Sequence, residues 1–136
     1  LSDAQRNALE LDDEAHFSVS DEKSALAVCR HVRGLSKDAT IVDATACVGG
    51  NVIAFAKQFE RVYAVELDVE RHRMLVANVK VALTPAFAKR VVTQCADATV
   101  ALPVILRAAA ALPQRRGGDK RLVIFVDPPW GGLGYK

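Results

Sequence analysis

Near the carboxyl end of the sequence, Asp127-Pro128-Pro129-Trp130-Gly131-Gly132 concentrates groups suited to one kind of chemistry. The two prolines lack an N–H and hold the chain extended, which leaves the Asp127 carboxylate and the Pro128 carbonyl as acceptors. Acceptors in that arrangement can grip the N–H groups of a planar exocyclic amine. Such an amine is a poor nucleophile because its lone pair is delocalised into the ring, and two hydrogen bonds can orient the lone pair toward an electrophile. Asp127 would then orient the amine and accept a proton late in the reaction. Trp130, the single tryptophan, offers a face on which a base can stack and the best aromatic partner for a cationic ring.

A second group of residues has the spacing of a nucleoside site. Asp43 and Thr45 precede the small-residue turn Cys47-Val48-Gly49-Gly50, and Asn51 opens a helical pattern. Gly49 and Gly50 allow backbone to approach a ligand closely, and the helix that follows presents free N–H groups. Glu66 stands where an acid at a second strand end accepts ribose hydroxyl protons, and Asp97 follows a third strand. No G-K-[S/T] completes a P-loop, and the dinucleotide pattern G-x-G-x-x-G is absent. An acid at the first strand end repels pyrophosphate and suits an ammonium group, so S-adenosylmethionine fits better than a nicotinamide dinucleotide.

These residues need a scaffold, and the hydrophobic periodicity supplies one. Ser20 reads as a helix N-cap for residues 21 to 33, with Gly34 as the stop. Strands are expected over 39–44, 61–68, 90–95 and 121–127, and helices beginning near 51, 69 and 98. The second of these helices carries Met74, Leu75, Asn78 and Val79 as a stripe and ends before Thr84-Pro85. Alternating strands and helices imply parallel pairing with right-handed crossovers, a doubly wound α/β sheet with helices on both faces. In such sheets ligands lie outside the carboxyl ends of the strands, where all the candidate residues fall.

Composition sets the outer bounds. With 136 residues, 51% hydrophobic and 25% charged, one globular domain is expected. Eighteen basic against sixteen acidic residues give no global basic field, so any RNA contact is local, with the basic loop 113–121 as one place for it. Cys29, Cys47 and Cys95 are too few and too scattered for a disulfide framework, and His16, His31 and His72 are isolated. A metal-free protein of a reducing, intracellular compartment is expected, without a membrane span or signal peptide. The sequence starts at Leu1 and stops just past the Trp130 motif, which is the pattern of a partial chain.

From Phe17 to Tyr135 the sequence resembles the trimethylguanosine synthase family, which methylates the N2 amine of 7-methylguanosine RNA caps. The residues that carry the likeness are F-S-V-S-D-E-K (17–23), V-D-A-T-A-C-V-G-G-N (42–51), V-Y-A-V-E-L-D (62–68) and D-P-P-W-G-G-L-G-Y (127–135). The family pattern runs F-S-V-T-P-E-K, D-A-F-C-G-V-G-G-N and S-P-P-W-G-G-P-x-Y. Thr45, Ala46 and Cys47 stand where it has Phe, Cys and Gly; Asp127 replaces Ser and Leu133 replaces Pro.

The resemblance implies a Rossmann-like S-adenosylmethionine-dependent fold, with residues 1–136 as the N-terminal portion of one domain covering strands one to four. It implies Ser20, Asp43, Thr45, Gly49, Gly50 and Asn51 around the methionine end of the cofactor, Glu66 on the ribose and Asp97 on the adenine amine. Asp127, Pro128 and Trp130 would serve catalysis, with Phe17, Trp130 and Tyr135 at the methylated guanine and S-adenosylhomocysteine as product. The implied partner is an RNA with a 7-methylguanosine cap, of the snRNA or snoRNA kind or another, and the implied workplace is the nucleus, with the cytoplasm as the alternative. Two other readings stay open: an amino-methyltransferase acting on adenine N6 or unmodified guanine, and a cofactor- or cap-binding module without transfer.

Overall fold

In the computed structural model, which describes residues 1–111 and 121–128, four parallel strands form one sheet in the order β3-β2-β1-β4. The strands are β1 (Thr40–Asp43), β2 (Arg61–Glu66), β3 (Val91–Cys95) and β4 (Leu122–Phe125). Seven helices accompany them among the described residues: α1 (Asp3–Asn7), α2 (Asp13–Ser18), α3 (Glu22–Leu35), α4 (Gly50–Gln58), α5 (Val69–Ala82), α6 (Pro85–Ala88) and α7 (Ala98–Ala110). β1 to β3 step one way across the sheet and β4 returns to the far side of β1, so the order reverses between β1 and β4.

Strand alternation sorts the core into two layers. Ile41, Val62 and Ala64 turn to one face, where they meet Ala25, Cys29 and Val32 of α3, Val52 and Phe55 of α4, and Leu75 and Val79 of α5. Val42, Tyr63 and Val65 turn to the other and meet Ala101 and Ile105 of α7. Helices on both faces of a parallel sheet are what the alternation of elements predicts. Phe55 joins α4 to β4, its ring edge-on to Phe125 with centroids 5.4 Å apart, and it is fully buried.

Both expected boundaries of α3 move. The N-cap of α3 is Asp21, not Ser20: the Asp21 carboxylate accepts the Ser24 N–H at 2.8 Å, and Ser20 is left for another contact. Gly34 does not stop α3, which continues through Leu35 to a C-cap at Ser36. Nothing crowds Gly34, so its place is inside the last turn of the helix. β2 and β4 are shorter than expected, ending at Glu66 and Phe125, and residues just beyond each line the strand-end cavity.

Residues 1–20 are bound to α5 by polar contacts that hydrophobic periodicity does not reveal. Asn78, buried in α5, accepts the Glu10 N–H at 2.7 Å and donates to the carbonyls of Glu10 and Val48 at 2.8 and 2.9 Å. Arg71 pairs with Asp12 at 2.8 Å, and this bond, followed by the Ala15 N–H, holds the Asp12 carboxyl below its usual range.

Gly49 is the N-cap of α4 at φ +100°, and a Cβ there would lie 2.8 Å from Leu75 Cδ1. The dihedral strains any side chain here, and a Cβ would also have to displace the tip of buried Leu75. Gly49→Ala is expected to destabilise by about 1–3 kcal/mol, while Gly34→Ala, in open space inside a helix, should stabilise by about 0.5–1 kcal/mol. Urea unfolding of the two variants checks the opposite signs.

Candidate functional site

At the carboxyl ends of the four strands lies a cavity of about 780 Å³. Its wall takes Ala44 to Cys47 from the turn after β1, Gly50 and Asn51 from the start of α4, Glu66 to Arg71 after β2, Ala96 to Ala98 after β3, and Asp127 and Pro128 after β4. Val19 and Ser20 close it from the side. A Cβ on Gly50 would meet Val19 Cγ2 at 2.7 Å and the Ser20 carbonyl at 3.2 Å, so glycine at 50 is what admits this segment. Ser20 then accepts a hydrogen bond from Asn51 Nδ2 at 2.9 Å, while Asn51 Oδ1 is buried without a partner among the described residues.

The first turn is held from both neighbouring strand ends. The Glu66 carboxylate accepts the Cys47 N–H on Oε2 at 2.8 Å and the Asp68 N–H on Oε1 at 2.9 Å. Each carboxylate oxygen keeps a second lone-pair direction, so Glu66 is fixed in place and can still accept further donors. Ala46 N–H reaches the Val65 carbonyl at 2.9 Å. On the β4 side, the Asp127 N–H donates to Thr45 Oγ1 at 2.8 Å. Cys47 sits at φ 48°, the one positive φ of a non-glycine residue among those described.

The electrostatics are one-sided. Among the described residues Glu66, Asp68, Glu70, Asp97 and Asp127 line the cavity, against one cation, Arg71, whose Nε lies 2.8 Å from Asp12. Behind the wall, Asp43 is 1% exposed and accepts the Thr45 N–H at 3.2 Å. Burial pushes its carboxyl up to about 7; the Thr45 hydrogen bond opposes this, and the charges of Asp127 and Glu66 add to it. Asp97 caps α7 and takes Thr99 Oγ1 and the Thr99 N–H on Oδ1, which hold its carboxyl low. Burial pushes the Cys47 thiol up, away from a thiolate nucleophile.

The structure thus brings Ser20, Thr45, Gly50, Asn51, Glu66, Asp97, Asp127 and Pro128 to one cavity. Asp43 and Gly49 support it from behind. Trp130, Tyr135 and the Phe17 side chain lie outside the described residues, as does nearly all of the basic loop after α7. Sequence reasoning missed Asp68 and Arg71 in the wall; an Asp immediately before a helical run was the available signal for Asp68, which caps α5. Among the described residues no group of His, Cys, Asp and Glu is arranged to hold a metal ion, and no helix is long and apolar enough to cross a membrane.

The family described as RNA cap guanine-N2 methyltransferase matches residues 38–136. Over 125 residues the chain is 31% identical to the trimethylguanosine synthase of Schizosaccharomyces pombe, covering 92% of this chain and 47% of that protein. Over 100 residues it is 37% identical to uncharacterized protein L320 of Acanthamoeba polyphaga mimivirus, covering 74% and 33% respectively. The chain therefore spans less than half the length of either relative. In fold it is similar to a Porphyromonas gingivalis structure designated a methyltransferase, with a TM-score of 0.58 at 19% identity over 88% of this chain and 26% of that one. A Klebsiella pneumoniae structure designated an O-methyltransferase gives 0.58 at 15% identity, over 94% and 54%.

Asp43 makes stability depend on pH in a defined direction. Its folded carboxyl titrates near 7 against an ordinary 3.8, so the folded state binds the proton more tightly and stability falls as pH rises through that interval. Asp12, Asp21 and Asp97, all shifted down, act below it. Asp43→Asn retains an acceptor for the Thr45 N–H and should flatten the decline in Tm between pH 5 and pH 8; calorimetric scans at the two pH values read the difference.

Proposed function

The chain belongs to the RNA cap guanine-N2 methyltransferase family, and from that premise we propose that its strand-end cavity binds S-adenosylmethionine and serves methyl transfer to the N2 amine of a 7-methylguanosine RNA cap. The observation that carries the reading is the acid-lined cavity with Glu66 pinned on one side and Asp127–Pro128 on the other. A surplus of carboxylates disfavours a pyrophosphate and favours a ligand bearing an ammonium and a sulfonium.

The residues present fit that cofactor. Asn51 Oδ1, a buried acceptor lacking a partner among the described residues, suits an ammonium donor, and Ser20 beside it adds a hydroxyl. Glu66 has acceptor capacity left for two ribose hydroxyls, and Asp97 stands at the start of α7 as an acceptor for an adenine amine. The bare N-terminus of α4 has no side-chain cap. When bound, S-adenosylmethionine supplies an electrophilic methyl group on a positively charged sulfur and becomes S-adenosylhomocysteine.

The remaining work falls to the chain's own groups. Asp127 and the Pro128 carbonyl accept from the two N–H groups of the guanine N2 amine, orient its lone pair toward the cavity, and Asp127 receives the proton that leaves the nitrogen. Trp130 stacks on the guanine, whose N7 methylation leaves a positive charge that an indole face prefers. Residues 1–136 make up the N-terminal part of the methyltransferase domain in this reading, and the substrate RNA is met inside the cell, in the nucleus.

Glu66→Gln should weaken S-adenosylhomocysteine binding by about tenfold or more, since a charge-assisted hydrogen bond contributes about 1.5–3 kcal/mol; titration calorimetry measures it. Asp127→Ala should lower turnover on a 7-methylated cap dinucleotide far more than it lowers affinity. Trp fluorescence of the protein saturated with S-adenosylhomocysteine should be quenched by that dinucleotide and not by its unmethylated twin. Equal response to both would point to adenine N6 or plain guanine, and cap binding without transfer would point to a recognition module.

A further inference from the structure

Between β1 and β4 the hydrogen-bond ladder runs regularly up to one point. Thr40 N–H donates to the Arg121 carbonyl and Ala44 N–H to the Phe125 carbonyl, both at 2.9 Å. In a parallel ladder of this register the next donor is the Asp127 N–H, and its regular acceptor is the Ala44 carbonyl. It donates to Thr45 Oγ1, at 2.8 Å. A side-chain hydroxyl thus takes the last rung, just where the chain turns into the amine-binding segment.

The amide involved has no substitute. Pro128 and Pro129 carry no N–H, so Asp127 supplies the only main-chain donor of the Asp-Pro-Pro segment. Tethering that segment to the sheet through a donor depends on whatever accepts from Asp127. Thr45 also donates its own N–H to buried Asp43, so one residue ties the floor of the cavity to the start of the substrate motif. Its β-branched side chain has few rotamers, which makes it a stiff tether.

We infer that Thr45 is a positioning residue for methyl transfer, its hydroxyl setting where the Asp127 carboxylate and Pro128 carbonyl stand relative to the cofactor cavity. The inference rests on the functional reading above and adds a role distinct from cofactor contact. Misplacement of a reacting group by about 1 Å is enough to lower turnover about a hundredfold. Loss of the tether acts on the acceptors for the amine and leaves the Glu66, Asn51 and Asp97 contacts in place.

Thr45→Val, which exchanges the hydroxyl for a methyl of the same size, tests this beside Thr45→Ser, which restores the acceptor. Three quantities are read on each protein: hydrogen exchange of the Asp127 amide by NMR, S-adenosylhomocysteine affinity by calorimetry, and kcat on a 7-methylated cap dinucleotide. The expected result in Thr45→Val is Asp127 exchange faster by about tenfold or more and kcat lower by about ten- to a hundredfold, a loss larger than any accompanying loss of cofactor affinity. Thr45→Ser should recover most of both losses. Unchanged Asp127 exchange in Thr45→Val, or a loss of cofactor affinity equal to the loss of kcat, overturns the inference. Absence of S-adenosylhomocysteine binding in the unaltered protein would overturn the functional reading instead, and the exchange comparison would still judge the tether.

Discussion

The carboxylate of Glu66 is the contact on which the rest of the site depends. It ends β2 and accepts two backbone N–H groups, from Cys47 in the turn after β1 and from Asp68 at the start of α5. Two adjacent strand ends are thereby locked into one wall, and a buried-side acceptor set is fixed before any ligand arrives. Such preorganisation matters because ordering a loop on binding subtracts directly from affinity. The same turn is gripped from below by Asn78 on the Val48 carbonyl and from the far side by the Thr45 contact with Asp127.

The arrangement concentrates negative charge at some expense to stability. Asp43 is buried, with the Thr45 N–H as its one hydrogen-bond partner among the described residues and with Glu66 and Asp127 as repelling neighbours, which is why its carboxyl holds a proton up to about 7. A cation in the cavity would relieve that repulsion, so ligand charge and protein stability are coupled through the same three acids. Asp12 and Arg71 neutralise one another at the rim, and this pair also binds residues 1–20 to α5. The N-terminal segment is therefore part of the site's wall, through Val19 and Ser20, and not an appendage.

Much of this was legible in the sequence because it rests on periodicity and on strand-end position. Four hydrophobic runs alternating with helical stripes gave parallel strands, and the rule that ligands sit at carboxyl strand ends gathered Thr45, Glu66, Asp97 and Asp127. What stayed hidden were choices between near-equivalent neighbours. Ser20 and Asp21 are both good N-caps, and only the approach of Ser20 to Gly50 and Asn51 decides that Asp21 caps the helix. Gly34 reads as a stop, but an uncrowded glycine in a helix with buried Ala25, Cys29 and Val32 is carried along by packing. The roles of Asn78 and Arg71 depend on contacts 68 and 59 residues away in sequence, which no local pattern encodes.

The departures from the family's turn can be weighed by the same physics. Cys47 stands where the resembled pattern has glycine, and its φ of 48° shows that the backbone there still adopts the conformation glycine favours. Holding an L-residue in that region costs about 1–2 kcal/mol. A charge-assisted hydrogen bond such as the one from Cys47 N–H to Glu66 contributes about 1.5–3 kcal/mol, enough to offset it. The turn therefore keeps its shape because of what its amide binds, and its glycine count is a poor guide to whether it can cradle a ligand. Thr45 shows the other side of the same exchange: a polar residue in place of an aromatic one gives the turn a bond to the Asp-Pro-Pro segment that no phenyl ring could make.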